Sequence, residues 1–282
     1  MSNTNDLLNR INAKYSTMSK GHKLLATYIT DNYDKAVFLT AAKMGETVGI
    51  SESTVVRFAT SLGYKGYPDF QKALEELVRN KLNSVQRMEV TYGRISQSQI
   101  LETVLQSDRD KIKTTLEKID ADAFDLAVDT ILQSRKIYIV GIRSCAPLAS
   151  FLAFYMNLMF EDVCLLTTNS SSELFEQMVR IGKDDVIIGI SFPRYSARTV
   201  EAMRFARQGG AQVISITDGP MSPLHDVSDV CLTARTDMAS FVDSLVAPLS
   251  LVNALLVAVS RKKNDDLAHT FQTLEDIWDE YG

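Results

Sequence analysis

The sequence predicts two domains, an all-α helix-turn-helix bundle followed by an α/β domain whose parallel sheet is flanked by helices. Three observations predict this. The first eighty residues carry apolar positions at helical spacing, punctuated by good helix caps. From Lys136 onward, short apolar runs alternate with helical stretches, the pattern of a parallel sheet covered on both faces. Between them, residues 81–98 (KLNSVQRMEVTYGRISQS) are polar and weakly patterned and read as a linker. The expected boundaries are therefore 1–80, 81–98 and 99–282.

In the first domain, Ser19 precedes a helix carrying Leu24, Leu25, Tyr28 and Ile29. Thr40 is placed to cap a second helix, Ala41 to Val48, and Gly49 to end it. Ser51 starts a third, from Glu52 to about Leu62, and a fourth follows Pro68 with Phe70, Ala73, Leu74 and Leu77. Helical patterning resumes at Ile100. The expected strands are Ile137 to Val140, Val163 to Thr167, Val186 to Ile190, Val213 to Thr217 and Val230 to Leu232. Helices are expected around 147–160, 172–181, 199–208 and 223–227, with a long one from Phe241 to Lys262 and an acidic one at the C-terminus.

Composition narrows the function classes. Hydrophobic residues make up 45% and charged residues 23%, enough apolar surface for each of two domains to bury a core. No apolar run reaches the length of a membrane span; the longest candidate, Val246 to Val259, is broken by Pro248, Ser250 and Asn253. The start of the chain has no basic and apolar signal, which points to the cytoplasm. Cys145, Cys164 and Cys231 are odd in number and widely spaced, so neither a disulfide framework nor a metal site is expected, and no cofactor is implied. Net charge is −5, yet residues 1–80 hold ten Lys/Arg against eight Asp/Glu while the rest is acidic, so the basic part coincides with the helical one.

The sharpest local signal is T-A-A-K-M-G-E-T-V-G-I-S-E-S-T-V-V-R-F-A-T-S-L-G-Y at 40–64. A helix-turn-helix needs a small residue where its helices cross, supplied by Gly45, and a turn residue tolerant of positive φ, supplied by Gly49. Met44, Val48, Ile50, Val55, Val56 and Phe58 are the expected apolar contacts. The second helix then offers Ser51, Glu52, Ser53, Thr54 and Arg57 to double-stranded DNA, hydroxyls and the helix N-terminus to phosphates, Arg57 to a guanine edge or a phosphate. An isolated Arg57 would read first as a solvated helix residue or a salt-bridge partner; the motif around it reverses that order.

This segment resembles the N-terminal domain of RpiR-type (MurR/RpiR) transcriptional regulators, through S-E-S-T-V-V-R-F at 51–58 and L-G-Y-K-G-Y at 62–67, over about Leu7 to Val78. The resemblance implies that Lys65 lies near the DNA backbone. Tyr64 and Tyr67 either join it or pack the fourth helix. Gly45 departs from the family's more frequent Ala, at about 1 kcal/mol of helix propensity.

The second half resembles a SIS (sugar isomerase) domain, through I-V-G-I-R-S-C-A-P-L-A (139–149), I-G-I-S-F-P-R-Y-S-A-R-T (188–199) and I-T-D-G-P-M-S-P-L (216–224). Ligands of open parallel sheets bind beyond the carboxyl ends of the strands, and hydroxyls and N–H groups at a helix N-terminus hold anions. Ser144, Ser191 and Ser196 are thus placed for a phosphate, and Ser170 and Ser171 could join them. Two departures stand out. G-x-G-x-S after the first strand has become Gly141-Ile142-Arg143-Ser144-Cys145, and S-x-S-G-x-[ST] after the third has become Ser191-Phe192-Pro193-Arg194-Tyr195-Ser196. Arg143 and Arg194, both at glycine positions, suggest an anionic sugar or sugar phosphate as effector, or else structural ion pairs.

Three readings of function follow. A ligand-sensing regulator, acting as a homodimer or tetramer, needs no catalytic residue. A phosphosugar isomerase or lyase needs a general base, for which Glu173 is the one acid in a candidate loop. An interaction module with a decayed ligand site would account for the missing Gly and Ser residues. Cys145 reads as a buried apolar residue rather than a nucleophile.

Overall fold

A computed structural model of the chain describes residues 6–81, 97–168, 170–236 and 242–281. Its contacts group into two compact units, one built mainly from residues before Ile100 and the other mainly from Ile100 onward. Most of the segment read as a linker lies outside the described residues.

The first unit is helical: α1 (Asp6–Lys14), α2 (Lys20–Asp31), α3 (Tyr33–Ala36), α4 (Ala41–Val48), α5 (Glu52–Ser61) and α6 (Tyr67–Lys81). The caps act as the sequence predicts. Ser19, Thr40 and Ser51 each accept a hydrogen bond from the backbone N–H three residues on, satisfying an otherwise orphaned donor. Gly49 ends α4 with φ of 76°, a left-handed conformation natural to glycine. Leu25, Ile29, Met44, Val55, Phe58, Phe70 and Leu74 form the core. Tyr28, Val48 and Ile50 are only half-buried. Leu24 and Val56 are exposed, because each lies on the outer side of its helix beside a residue that is buried.

Gly45 holds the closest approach in the unit. A Cβ there would lie 2.7 Å from the Ile50 carbonyl oxygen and 3.2 Å from the Glu52 nitrogen, both backbone atoms that cannot step aside alone. The glycine is therefore required by this crossing, beyond the tolerance the sequence suggested. Gly45→Ala gains about 1 kcal/mol of helix propensity but overpacks the crossing by more. We expect a net loss of about 1 kcal/mol in thermal unfolding. A stabilised variant would show that the two helices have room to separate.

The second unit opens with α7 (Ile100–Lys118) and α8 (Ala121–Gln133) and then alternates β1 (Lys136–Gly141), α9 (Ala146–Met159), β2 (Val163–Leu166), α10 (Ser171–Gln177), β3 (Asp185–Ile190), α11 (Ala197–Gln208), β4 (Gln212–Thr217) and β5 (Val230–Thr233). It closes with α12 (Val246–Lys262) and α13 (Asn264–Tyr281). All strands are parallel, in the order β2-β1-β3-β4-β5. The period of two sorts each strand onto two cores. Ile137, Ile139, Ile188, Ile190, Ile214 and Ile216 pack with α8, α9 and α12. Tyr138, Val140, Ile187 and Val213 pack with α10 and α11 on the other face.

Two helices differ from expectation. The stretch 223–227 forms only a 3-10 turn at His225–Val227, too short for an α-helix between β4 and β5. The helix expected from Phe241 starts at Val246. Its apolar side, including Leu251, Val252, Leu255 and Val259, is consumed by the unit's own core. Exposed apolar side chains remain on several helices, among them Leu101, Leu105 and Leu116 of α7, Phe154 of α9 and Val257 of α12.

Candidate DNA interface and ligand crevice

Helix α5 presents the residues expected to meet DNA. Ser51, Glu52, Ser53 and Arg57 are exposed and Thr54 is half-buried. The Ser51 hydroxyl lies 2.9 Å from that of Ser53 and 2.8 Å from that of Thr54, and accepts from the Thr54 N–H. Arg57 donates from Nε to the Ser53 carbonyl (3.2 Å) and from Nη2 to the Thr54 hydroxyl (3.4 Å). Among the described residues it makes no ion pair, so its charge is presented rather than neutralised. Glu52, in the first turn, stabilises the helix dipole.

Lys65 is exposed, and its N–H donates to the Asp69 carboxylate, fixing the turn into α6. The neighbouring tyrosines are packing residues. The rings of Tyr64 and Tyr67 lie 5.6 and 6.0 Å from that of Phe70, and the Tyr67 hydroxyl donates to the Leu39 carbonyl.

Sequence reasoning missed the N-terminus of α2. Ser19, Gly21 and His22 line an open groove of about 460 Å³ together with Ile50, Ser51, Thr54 and Arg57. Two helix N-termini therefore border the groove that holds Arg57, a positive setting for a phosphate. Burial, then the charge of Arg57, push the pKa of His22 down. The only sequence signal at this place was Ser19, legible as a cap and no more.

In the second unit the sheet order reverses between β1 and β3. From β1 the chain passes through α9 to β2 on one side; from β3 it passes through α11 to β4 on the other. The loops after β1 and β3 thus diverge from neighbouring strand ends and leave a crevice between them. The register pairs Gly141 with Ile190, so both loops begin at one level. A Cβ on Gly141 would lie 2.8 Å from the Cys145 carbonyl, which makes this glycine obligatory for the tight turn into α9.

In the loop after β3, Ser191 is buried and its hydroxyl accepts from the Ser196 N–H at 3.0 Å. Ser196 caps α11 by accepting from the Thr199 N–H at 3.3 Å. The Thr217 hydroxyl donates to the Ser191 carbonyl (2.8 Å), and Tyr195 donates to Asp218 (2.7 Å), so the loop after β4 braces the one after β3. Ser144 is exposed in the 3-10 turn Arg143–Cys145. Ser170 caps α10, which Ser171 opens. The structure joins Ser191 to Ser196 within one loop; it shows no contact from Ser144 or Ser170 to either.

Arg143 and Arg194 are the only described residues other than glycine with positive φ, at 59° and 62°. The left-handed turn of the glycine pattern is kept while the residue has changed, at on the order of 1 kcal/mol each. Both side chains are exposed and, among the described residues, make no ion pair or hydrogen bond. The structural ion pairs considered as an alternative are not formed there.

Cys145 meets the Phe192 backbone and the Ser144 side chain, which brings the two loops together. Burial pushes its thiol up to about 11, against the smaller opposing pull of those two contacts. At pH 8 only on the order of 0.1% is thiolate. We expect iodoacetamide to leave Cys145 unmodified in the native protein at pH 8, read by peptide mass spectrometry; rapid labelling would contradict its burial. Glu173 accepts from the Thr168 hydroxyl and has its N–H capped by Ser170, a helix-start arrangement rather than that of a poised base. No group of three or more metal-ligating side chains and no helix able to cross a membrane is found among the described residues.

Comparison with known proteins gives this architecture a family. Residues 5–81 match the model of the helix-turn-helix domain of the rpiR family, and residues 130–258 match the SIS domain model. The chain belongs to the RpiR family of helix-turn-helix transcriptional regulators. Curated relatives match along most of their length. The RpiR-family chain is 25% identical to the HTH-type transcriptional regulator HexR of Escherichia coli, over 92% of this chain and 89% of that one. It is 24% identical to an uncharacterised HTH-type transcriptional regulator of Clostridium perfringens, over 86% and 88%. Among solved structures, the sugar isomerase domain of an RpiR transcription factor from Sphaerobacter thermophilus superposes with a TM-score of 0.60 at 25% identity, covering 63% of this chain and 99% of that one. The Vibrio vulnificus NanR protein complexed with ManNAc-6P shares the fold with a TM-score of 0.59 at 22% identity, covering 96% and 97%.

Proposed function

We propose that this RpiR-family regulator binds an operator through α5 and that its SIS domain senses an anionic, phosphorylated sugar that changes operator binding. The observation that carries the reading is the pairing, in one chain, of a presented recognition helix with a switch-point crevice whose two loops carry unpaired arginines. In this reading residues 1–80 are the DNA-binding domain, 81–98 the linker and 99–282 the sensor. Ser51, Glu52, Ser53, Thr54, Arg57 and Lys65 meet DNA. Arg143, Ser144, Ser170, Ser171, Ser191, Arg194 and Ser196 surround the effector. A NanR complex with a phosphosugar on a similar fold supports the choice of ligand class.

A helix-turn-helix reads half-sites as a symmetric pair, so the active form is a homodimer or tetramer, working in the cytoplasm where the operator is. Exposed apolar side chains on the helices of the second unit, among them Leu101, Leu105 and Leu116 of α7 and Val257 of α12, are available for self-association. The effector acts by binding one arrangement of the assembly better than the other, and the coupling is limited to that difference in affinity.

The test is a fluorescence titration of the full chain against DNA from upstream of its own and neighbouring genes, with and without a pool of sugar phosphates. Sequence-selective binding that the pool alters is the expected result. Selective binding indifferent to the pool would remove the sensor. Weak binding equal for all sequences would remove the operator, and turnover of the pool would move the isomerase reading forward.

A further inference from the structure

We propose that His22 is a second contact to the DNA backbone: the groove between α2 and α5 takes one phosphate between the His22 imidazole and the Arg57 guanidinium, and His22 takes up a proton as DNA binds. The proposal rests on the reading of α5 as the recognition helix and adds a residue and a proton to it. Both side chains line the same open groove of about 460 Å³, with Ser19, Ser51 and Thr54 around it. Gly21 lets α2 come close, since a Cβ there would already lie 3.4 Å from the Thr54 methyl carbon. The imidazole is held in place. It stands edge-on to the buried Phe58 ring, with centroids 5.5 Å apart and planes at 79°. Its hydrogen bond to the Thr54 backbone favours the protonated ring, so a ring N–H is the donor there.

One ring nitrogen is thereby committed, and the state of the other decides what the groove can hold. In the neutral ring it offers a lone pair, which repels a phosphate oxygen. In the protonated ring it is a charged donor. A phosphate therefore settles beside His22 together with a proton. In the free protein, burial and then the charge of Arg57 hold the ring below its ordinary pKa. A phosphate between the two groups offsets the charge of Arg57 and pairs with the imidazolium, so the pKa rises in the complex. The bound state carries more proton, and binding strengthens as pH falls through the interval between the two values. Helices α3, α4 and α5 pack on α2. Besides Arg57, the charged residues on these four helices are Lys20, Lys23 and Asp31 of α2, Asp34 and Lys35 of α3, Lys43 and Glu46 of α4, which pair with each other, and Glu52 of α5. The other two histidines of the chain, His225 and His269, belong to the second unit.

The experiment titrates a mixed-sequence DNA duplex with the full chain by fluorescence anisotropy at pH 6 and pH 8, for the wild type, His22→Gln and Arg57→Gln. A backbone contact does not depend on sequence, so no operator needs to be known. Calorimetry of the wild type in two buffers of different protonation heat counts the protons taken up without any variant. Wild-type affinity is expected to fall about threefold to tenfold from pH 6 to pH 8, with net proton uptake on binding. In His22→Gln the pH dependence flattens and the uptake disappears. An unchanged melting temperature will show that this variant folds; if it does not fold, the wild-type proton count decides. Equal pH dependence in wild type and His22→Gln, or binding by the wild type without proton uptake, would overturn the inference. If Arg57→Gln still weakens binding in that case, the reading of α5 stands. If neither variant changes binding at either pH, the inference and that reading fall together.

Discussion

Arg57→Gln is expected to weaken operator binding by about tenfold to a hundredfold, the worth of one specific or charge-assisted contact to DNA. The geometry supports a large effect. The guanidinium is braced on the Ser53 carbonyl and the Thr54 hydroxyl, so little side-chain freedom is lost on binding. It also borders the groove shared with Ser19, Gly21 and His22, where two helix N-termini are open. The pattern of loss will identify the partner. If Arg57 reads a base, selectivity relaxes at one position of the site. If it holds a phosphate, affinity falls alike for all sequences and the salt slope decreases by about one. Anisotropy titrations at two or three salt concentrations separate these outcomes. Unchanged affinity at every salt would show that α5 is not the recognition helix. Because Arg57 is exposed, circular dichroism should show an intact fold.

Asp185→Ala is expected to destabilise the SIS domain by about 2 kcal/mol, or roughly 4–8 °C in melting temperature. The Asp185 carboxylate is fully buried at the start of β3. It accepts from Arg135 Nε (3.0 Å) and Nη2 (2.9 Å) and from the Gly182 N–H (2.8 Å). Arg135 is largely exposed, and water takes over its donors when the carboxylate goes. The cost comes from the Gly182 N–H and from the volume left beside paired strands, since Lys136 and Asp185 stand opposite each other in the register. Asp185→Asn keeps an acceptor for Gly182 and should lose less. Equal melting temperatures for Asp185→Ala and wild type would show that the N-terminal edge of the sheet does not depend on this carboxylate.

These two residues differ in how visible they were in the sequence. Arg57 was marked by its place in S-E-S-T-V-V-R-F, a helix start whose capping chemistry is local. Asp185 was not marked, because its partners come from fifty residues upstream and from the preceding turn. The same contrast runs through the crevice. Ser191, Ser196, Arg143 and Arg194 could be found by their distance from a strand end, which is a property of sequence. The ties of Tyr195 to Asp218, and of Thr217 to Ser191, join loops that only the sheet order brings together. His22 escaped notice for a related reason. Its position in α2 is unremarkable until α5 is laid against it.

By itself, the sequence determined the two-domain division, the helix starts at Ser19, Thr40 and Ser51, the alternation that makes a parallel sheet, and the residue types that face DNA or an anion. Each of these depends on interactions within a few residues, on caps, periodicity and glycine. Only the tertiary structure decided that Gly45 has no room for a Cβ, that the apolar side of α12 is consumed by its own core, and that Arg143 and Arg194 hold a backbone suited to glycine. Those facts depend on distances between elements far apart in the chain and on how sharply loops must turn to leave neighbouring strands. Local residue preferences do not encode such distances.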